Sequence, residues 1–135
     1  MSIAQNLDET KKIAQEFSKN HKNNILCFYG EIGAGKTTFI KAFLENKINN
    51  PEEIKSPTYN YIREYEGPKK IYHLDLYRVD PSDHLIQEEI KELFESDAII
   101  LVEWAEKIKQ LLPEKRSDIH IKYLDKDQRE IQINE

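Results

Sequence analysis

The chain has few of the features that staple or anchor small proteins. It has a single cysteine, Cys27, which excludes an intrachain disulfide. Cys27 lies inside an apolar run and reads as a buried small hydrophobe. No apolar run approaches the roughly 20 residues of a membrane span, and the N-terminus has no signal-peptide core. The expectation is a cytoplasmic protein with no membrane segment. His21, His73, His84 and His120 are scattered, with no Cys/His cluster at metal-ligand spacing, which argues against a zinc site. Basic excess is missing as well. A formal net charge of −5 and a pI near 5.5 argue against tight, direct nucleic-acid binding. Lys69-Lys70 and the run from Lys107 to Lys109 are too short for a basic patch and read as solvated lysines.

What is present suits one soluble domain spanning residues 1–135. A chain of this length buries roughly two-thirds of its unfolded surface, enough for a core without staples. The organising stretch begins with the apolar run from Ile25 to Tyr29. It continues into Gly30-Glu31-Ile32-Gly33-Ala34-Gly35-Lys36-Thr37-Thr38 and then the helical pattern up to Leu44. Strand, G-x-x-x-x-G-K-[ST], helix is the P-loop (Walker A) order. The glycines let backbone N–H groups converge, and with the helix N-terminus they form an anion nest. Lys36 supplies a compact positive charge for the β- and γ-phosphates, and the Thr37 hydroxyl is a Mg²⁺ ligand.

The remaining pattern mixes buried strands with hairpins. Leu7, Thr10, Ile13, Ala14 and Phe17 share a helical face, with Asp8 as the expected N-cap and Ser18 to Asn24 closing the helix. Thr58 to Glu64 and Ile71 to Tyr77 read as a hairpin around Glu66-Gly67-Pro68. Pro81 to Ser96 is helical, with Leu85, Ile86, Ile90, Leu93 and Phe94 forming an apolar stripe broken by Glu89. Ala98 to Val102 is another fully apolar strand, and Ala105 to Leu112 a short helix stopped by Pro113. Asp118 to Leu124 and Arg129 to Ile133 form a last hairpin. The sum is an α/β, P-loop NTPase-like fold with a mixed central sheet flanked by helices.

Three further positions carry chemistry. Glu103 ends a buried strand, where P-loop proteins place the carboxylate that holds Mg²⁺ directly or through water; the bland alternative is an exposed strand-end carboxylate. Alternation sets His73, Asp75 and Tyr77 on one face of their strand. Asp75 can orient the attacking water or support the metal shell, or be a surface carboxylate in an ion pair. His73 reads first as a structural histidine, and Arg78 either stabilises phosphate charge or forms a surface pair. Thr58, behind Pro57, is placed to sense a γ-phosphate or is an ordinary loop threonine. Trp104, beside Glu103, can be simply a packing residue.

Four segments together resemble the TsaE (YjeE) family. They are Gly30 to Thr38, Lys55-Ser56-Pro57-Thr58-Tyr59, Tyr72-His73-Leu74-Asp75-Leu76-Tyr77-Arg78 and Leu101-Val102-Glu103-Trp104. The resemblance covers almost the whole chain. It implies a small P-loop ATPase required for threonylcarbamoyladenosine (t6A) modification of tRNA. It implies ATP and Mg²⁺ as cofactors, slow hydrolysis alone, and metal ligands at Thr37 and Glu103. Asp75, Lys36 and Thr58 are then expected in catalysis, with Glu31, Gly33, Ala34, Gly35, Lys36, Thr37 and Thr38 around the nucleotide. Thr10 is a further contact, because the family's N-terminal helix begins near the nucleotide. The implied partners are TsaD and TsaB, with tRNA met only through their complex. Two positions depart from the family: Glu31 stands where Asp is frequent, and Glu88-Glu89-Ile90 lacks a common Gly.

Other classes compete. A stand-alone small-molecule kinase needs an acceptor pocket and usually an Arg-rich lid, and no such insertion separates the P-loop helix from Glu103. A GTPase needs N-K-x-D; Asn46-Lys47-Ile48-Asn49 ends in the wrong residue and follows no strand. A nucleotide-binding adaptor without turnover is not separable from an ATPase at this level.

Overall fold

The computed structural model describes residues 1–31, 33–49 and 61–135. Its centre is the pair of apolar strands β2 (Ile25–Tyr29) and β5 (Ile99–Glu103), which run parallel and pair Ile25 with Ile100 and Phe28 with Glu103. Neither strand alternates, because both of its faces are covered. β4 (Ile71–Asp75) runs parallel to β5 on one side, and β6 (Ser117–Asp125) runs parallel to β2 on the other. β3 (Ile62–Tyr65), β7 (Gln128–Asn134) and β1 (Ser2–Ala4) add antiparallel. The seven-stranded order is β1-β7-β6-β2-β5-β4-β3. The expected mixed sheet between helices is therefore present.

α1 (Leu7–Asn20) and α2 (Lys36–Leu44) cover one face. There Phe28 and Leu101 pack with Phe17, Phe39 and Phe43, whose rings sit 5.7–6.2 Å apart. α3 (His84–Phe94) and a 3-10 helix (Ala105–Leu111) cover the other face over Cys27, Leu74, Ile100 and Val102. Cys27 is fully buried, and burial pushes its thiol from the ordinary 9.0 up to about 12, so it is inert in the fold.

The helix boundaries correct the sequence expectations. Asn6, not Asp8, caps α1: its side chain accepts a 2.9 Å bond from the Glu9 N–H. Asp8 and Glu9 instead occupy the first turn, where they favour the helix dipole. The helix also runs through Ser18, whose hydroxyl is buried and donates to the Phe43 carbonyl at 2.9 Å, tying α1 to α2. α3 starts at His84 rather than Pro81, because the Asp83 carboxylate accepts from the N–H groups of Leu85 and Ile86. Leu85 does not join the apolar stripe; it is 84% exposed. The helix after Trp104 is 3-10 in type, with a break at Ile108. β1 has no counterpart in the sequence reading, and residues 58–60 of the expected first hairpin strand lie outside the described residues.

Candidate functional site: an uncapped helix start facing two carboxylates

The loop after β2 is shaped by glycine where no other residue fits. Gly30 has φ +155°, and a Cβ there would stand 2.5 Å from the Ile121 carbonyl oxygen. The loop then turns tightly, with the Ala34 N–H donating to the Glu31 carbonyl at 3.0 Å. Gly35, at φ +105°, launches α2 from the left-handed region. No side chain caps α2, and its first turn holds no acidic residue. Its leading N–H groups are thus open to an external anion.

Lys36 and Thr37 open this helix. Lys36 is buried, and its ammonium lies 4.3 Å from the centroid of the Trp104 ring. Trp104 itself adopts a left-handed conformation (φ +62°) directly after β5 and packs on Tyr77 at 5.0 Å. The aromatic face fixes the cation on the cleft wall. Trp104 also lines the cleft that Lys36 faces.

The two carboxylates arrive on neighbouring parallel strands. The β4–β5 register sets Asp75 opposite Glu103 at the C-terminal edge of the sheet, where α/β sheets bind ligands. Asp75 accepts from the Tyr77 N–H at 3.1 Å. Glu103 is buried, and its Oε2 lies 2.7 Å from His73 Nε2. A cleft of about 380 Å³ brings Gly33, Gly35, Lys36, Thr37, Thr38, Asp75 and Glu103 together with Tyr77, Trp104 and Arg129.

Arg129 is the residue that sequence reasoning missed. It lies on β7, buried, with Nε donating to the Ala34 carbonyl at 2.8 Å. One terminal nitrogen donates to the Lys126 and Gln128 carbonyls at 2.8 and 2.9 Å. Its guanidinium also lies over Tyr123. Arg129 therefore clamps the P-loop to the last hairpin, and a Cβ on Gly35 would sit 3.3 Å from its Nε. No local pattern announces a clamp formed across 95 positions.

The other expected residues lie elsewhere. Glu31 and Ala34 help line a second, larger cleft of about 930 Å³, flanked by Tyr29 stacked on His120 with centroids 4.7 Å apart. Thr10 is fully buried on α1 and lines neither cleft; its hydroxyl has no hydrogen-bond partner among the described residues. Arg78 is exposed. Thr58 lies outside the described residues.

The donor set fits magnesium better than a caged metal. Among the described residues no three His, Cys, Asp or Glu side chains group to hold an ion. Mg²⁺ commonly takes one or two carboxylates and completes its shell with substrate phosphates and water. A hydroxyl from Thr37, a carboxylate from Glu103 and Asp75 nearby would supply such a partial set.

The family model "Threonylcarbamoyl adenosine biosynthesis protein TsaE" matches residues 4–131. The chain belongs to the TsaE family. The TsaE protein of Bacillus subtilis is 40% identical over 129 residues, covering 93% of this chain and 79% of that protein. TsaE of Haemophilus influenzae is 39% identical over 126 residues, covering 91% and 78%. TsaE of Aquifex aeolicus is 36% identical over 136 residues, covering 97% and 92%. In three dimensions the chain is similar to the crystal structure of Bacillus subtilis YdiB, with a TM-score of 0.74 and 36% identity over 96% of this chain and 80% of that one. All three TsaE relatives are named for tRNA threonylcarbamoyladenosine biosynthesis.

Proposed function

We propose that this chain is a Mg²⁺-dependent ATP-binding protein and slow ATPase that serves t6A modification of tRNA by acting on a TsaD–TsaB complex. The observation that carries the ATP-binding reading is the single cleft that joins an uncapped P-loop helix, Lys36 and Thr37 to the strand-end carboxylates Asp75 and Glu103. Family membership supports the pathway.

In this reading the α2 N–H groups and Lys36 bind the phosphate oxygens. Thr37 and Glu103 hold Mg²⁺, which when bound neutralises charge on the transferring phosphoryl group. Asp75 accepts a hydrogen bond from the attacking water and orients it. Such positioning and electrostatics account for most phosphoryl-transfer catalysis. Arg129 and Trp104 keep the loop and the lysine in place. Thr58 senses the γ-phosphate, and Thr10 stays a proposed nucleotide contact.

Two features support dependence on a partner. The cleft is small, at about 380 Å³, and the negative net charge suits contact with tRNA only through the complex. No helix among the described residues is long and apolar enough to cross a membrane, which accords with the proposed cytoplasmic location. The test is ATP hydrolysis measured with and without purified TsaD–TsaB. Stimulated turnover and co-purification are expected. Binding without turnover would favour an adaptor, and phosphorylation of a small acceptor would favour a kinase.

A further inference from the structure

Glu103 does not stand free at the end of its strand. His73 is 4% exposed and stands opposite Leu101 in the β4–β5 register, two residues before Glu103. From there its ring reaches forward, and Nε2 lies 2.7 Å from Glu103 Oε2. Both side chains are almost wholly out of solvent, at 5% and 10% exposure. His73 is absent from the cleft lining, whereas Glu103 is part of it. The histidine therefore acts through the carboxylate and not on a ligand.

We propose that His73 is a positioning residue for the metal ligand. An ionised carboxylate only accepts hydrogen bonds, so the proton between the two resides on Nε2. That bond occupies Oε2 and fixes the torsions of the glutamate side chain, which leaves Oε1 for the cation beside Thr37. Carboxylate ligands held by such an outer hydrogen bond typically lose 10- to 100-fold in metal affinity, or in activity, when it is removed. The inference deepens the proposed function, since it rests on Glu103 being a Mg²⁺ ligand.

The test measures binding of Mn²⁺, as a paramagnetic substitute for Mg²⁺, to the full chain saturated with ADP. Electron paramagnetic resonance counts the free ion. His73→Leu removes the donor and should weaken Mn²⁺ binding roughly 10- to 100-fold. His73→Gln places an amide N–H near the same point and should restore affinity to within about threefold. ADP affinity in EDTA should stay unchanged in both, because the phosphate cradle is untouched. Glu103→Gln is the control for the underlying reading. If Glu103→Gln abolishes Mn²⁺ binding while His73→Leu leaves it within twofold, the positioning role is overturned. If Glu103→Gln has no effect either, the metal assignment itself fails. Should His73→Leu lower metal-free ADP affinity or melting temperature as much as metal affinity, with no rescue by Gln, His73 is only a structural support.

Discussion

The starts of α2 and of its two fellow helices are built on opposite plans. Asn6 closes the start of α1, and Asp8 and Glu9 sit in its first turn. Asp83 closes α3 with bonds to two N–H groups. α2 begins on a left-handed glycine, with no side-chain cap and no acidic residue within its first turn. A side-chain cap is worth about 1 kcal/mol and an acidic first turn several tenths more. The sequence uses these devices where a helix must stabilise its own N-terminus and omits them where an incoming anion can take their place. The missing cap is thus a signature of the site as informative as the lysine beside it.

Substitutions can break this contrast. The largest effect is expected from Lys36→Ala, which removes the charged side chain of the first residue of α2. ATP affinity should fall by about 2–3 kcal/mol, roughly 30- to 150-fold, by calorimetry; unchanged affinity would mean that the cradle is not a phosphate site. Arg129→Met comes next. It leaves the Ala34 carbonyl without its donor and should cost about 1–3 kcal/mol in urea unfolding. Loss of both stability and ATP affinity is expected, because the loop is no longer held. Asn6→Ala should cost about 1 kcal/mol of stability and leave ATP affinity within twofold. Thr38→Glu sharpens the contrast most directly, since it gives α2 the acidic first turn it lacks. Stability should rise by about 0.3–1 kcal/mol at low salt while ATP affinity drops. A rise in both would sever the link between the bare helix start and anion binding.

How much of this was legible in the sequence depended on the range of the interactions. The loop and its two flanking elements were readable because glycines, lysine and hydroxyls are contiguous. β2 and β5 were readable because strands covered on both faces are apolar without a break. Glu103 was recognisable as a strand-end carboxylate and Asp75 as a carboxylate on the His73 face of its strand, but only the parallel register shows them side by side. The His73–Glu103 bond needed that register too. Arg129 was invisible, since its partners are backbone carbonyls that leave no trace in residue identity. The cap of α1 was misread because Asn6 and Asp8 are both good caps, and only the backbone geometry separates them. β1 was missed because three residues cannot display a period. Leu85 was misplaced because an apolar residue in a helix's first turn can fall beyond the rim of the sheet it packs on.

The placement of β2 also bears on how the chain is made. Its two neighbours are β5 and β6, so Ile25 pairs with Ile100 and Leu26 with Ser117. About 75 further residues must leave the ribosome before either edge of this apolar strand meets a partner. At translation rates of about 5–20 residues per second, that wait lasts roughly 4–15 s. During it, Ile25-Leu26-Cys27-Phe28-Tyr29 is a sticky nascent segment open to chaperones, and the glycine-rich loop that follows it cannot take shape until the second half of the chain has emerged.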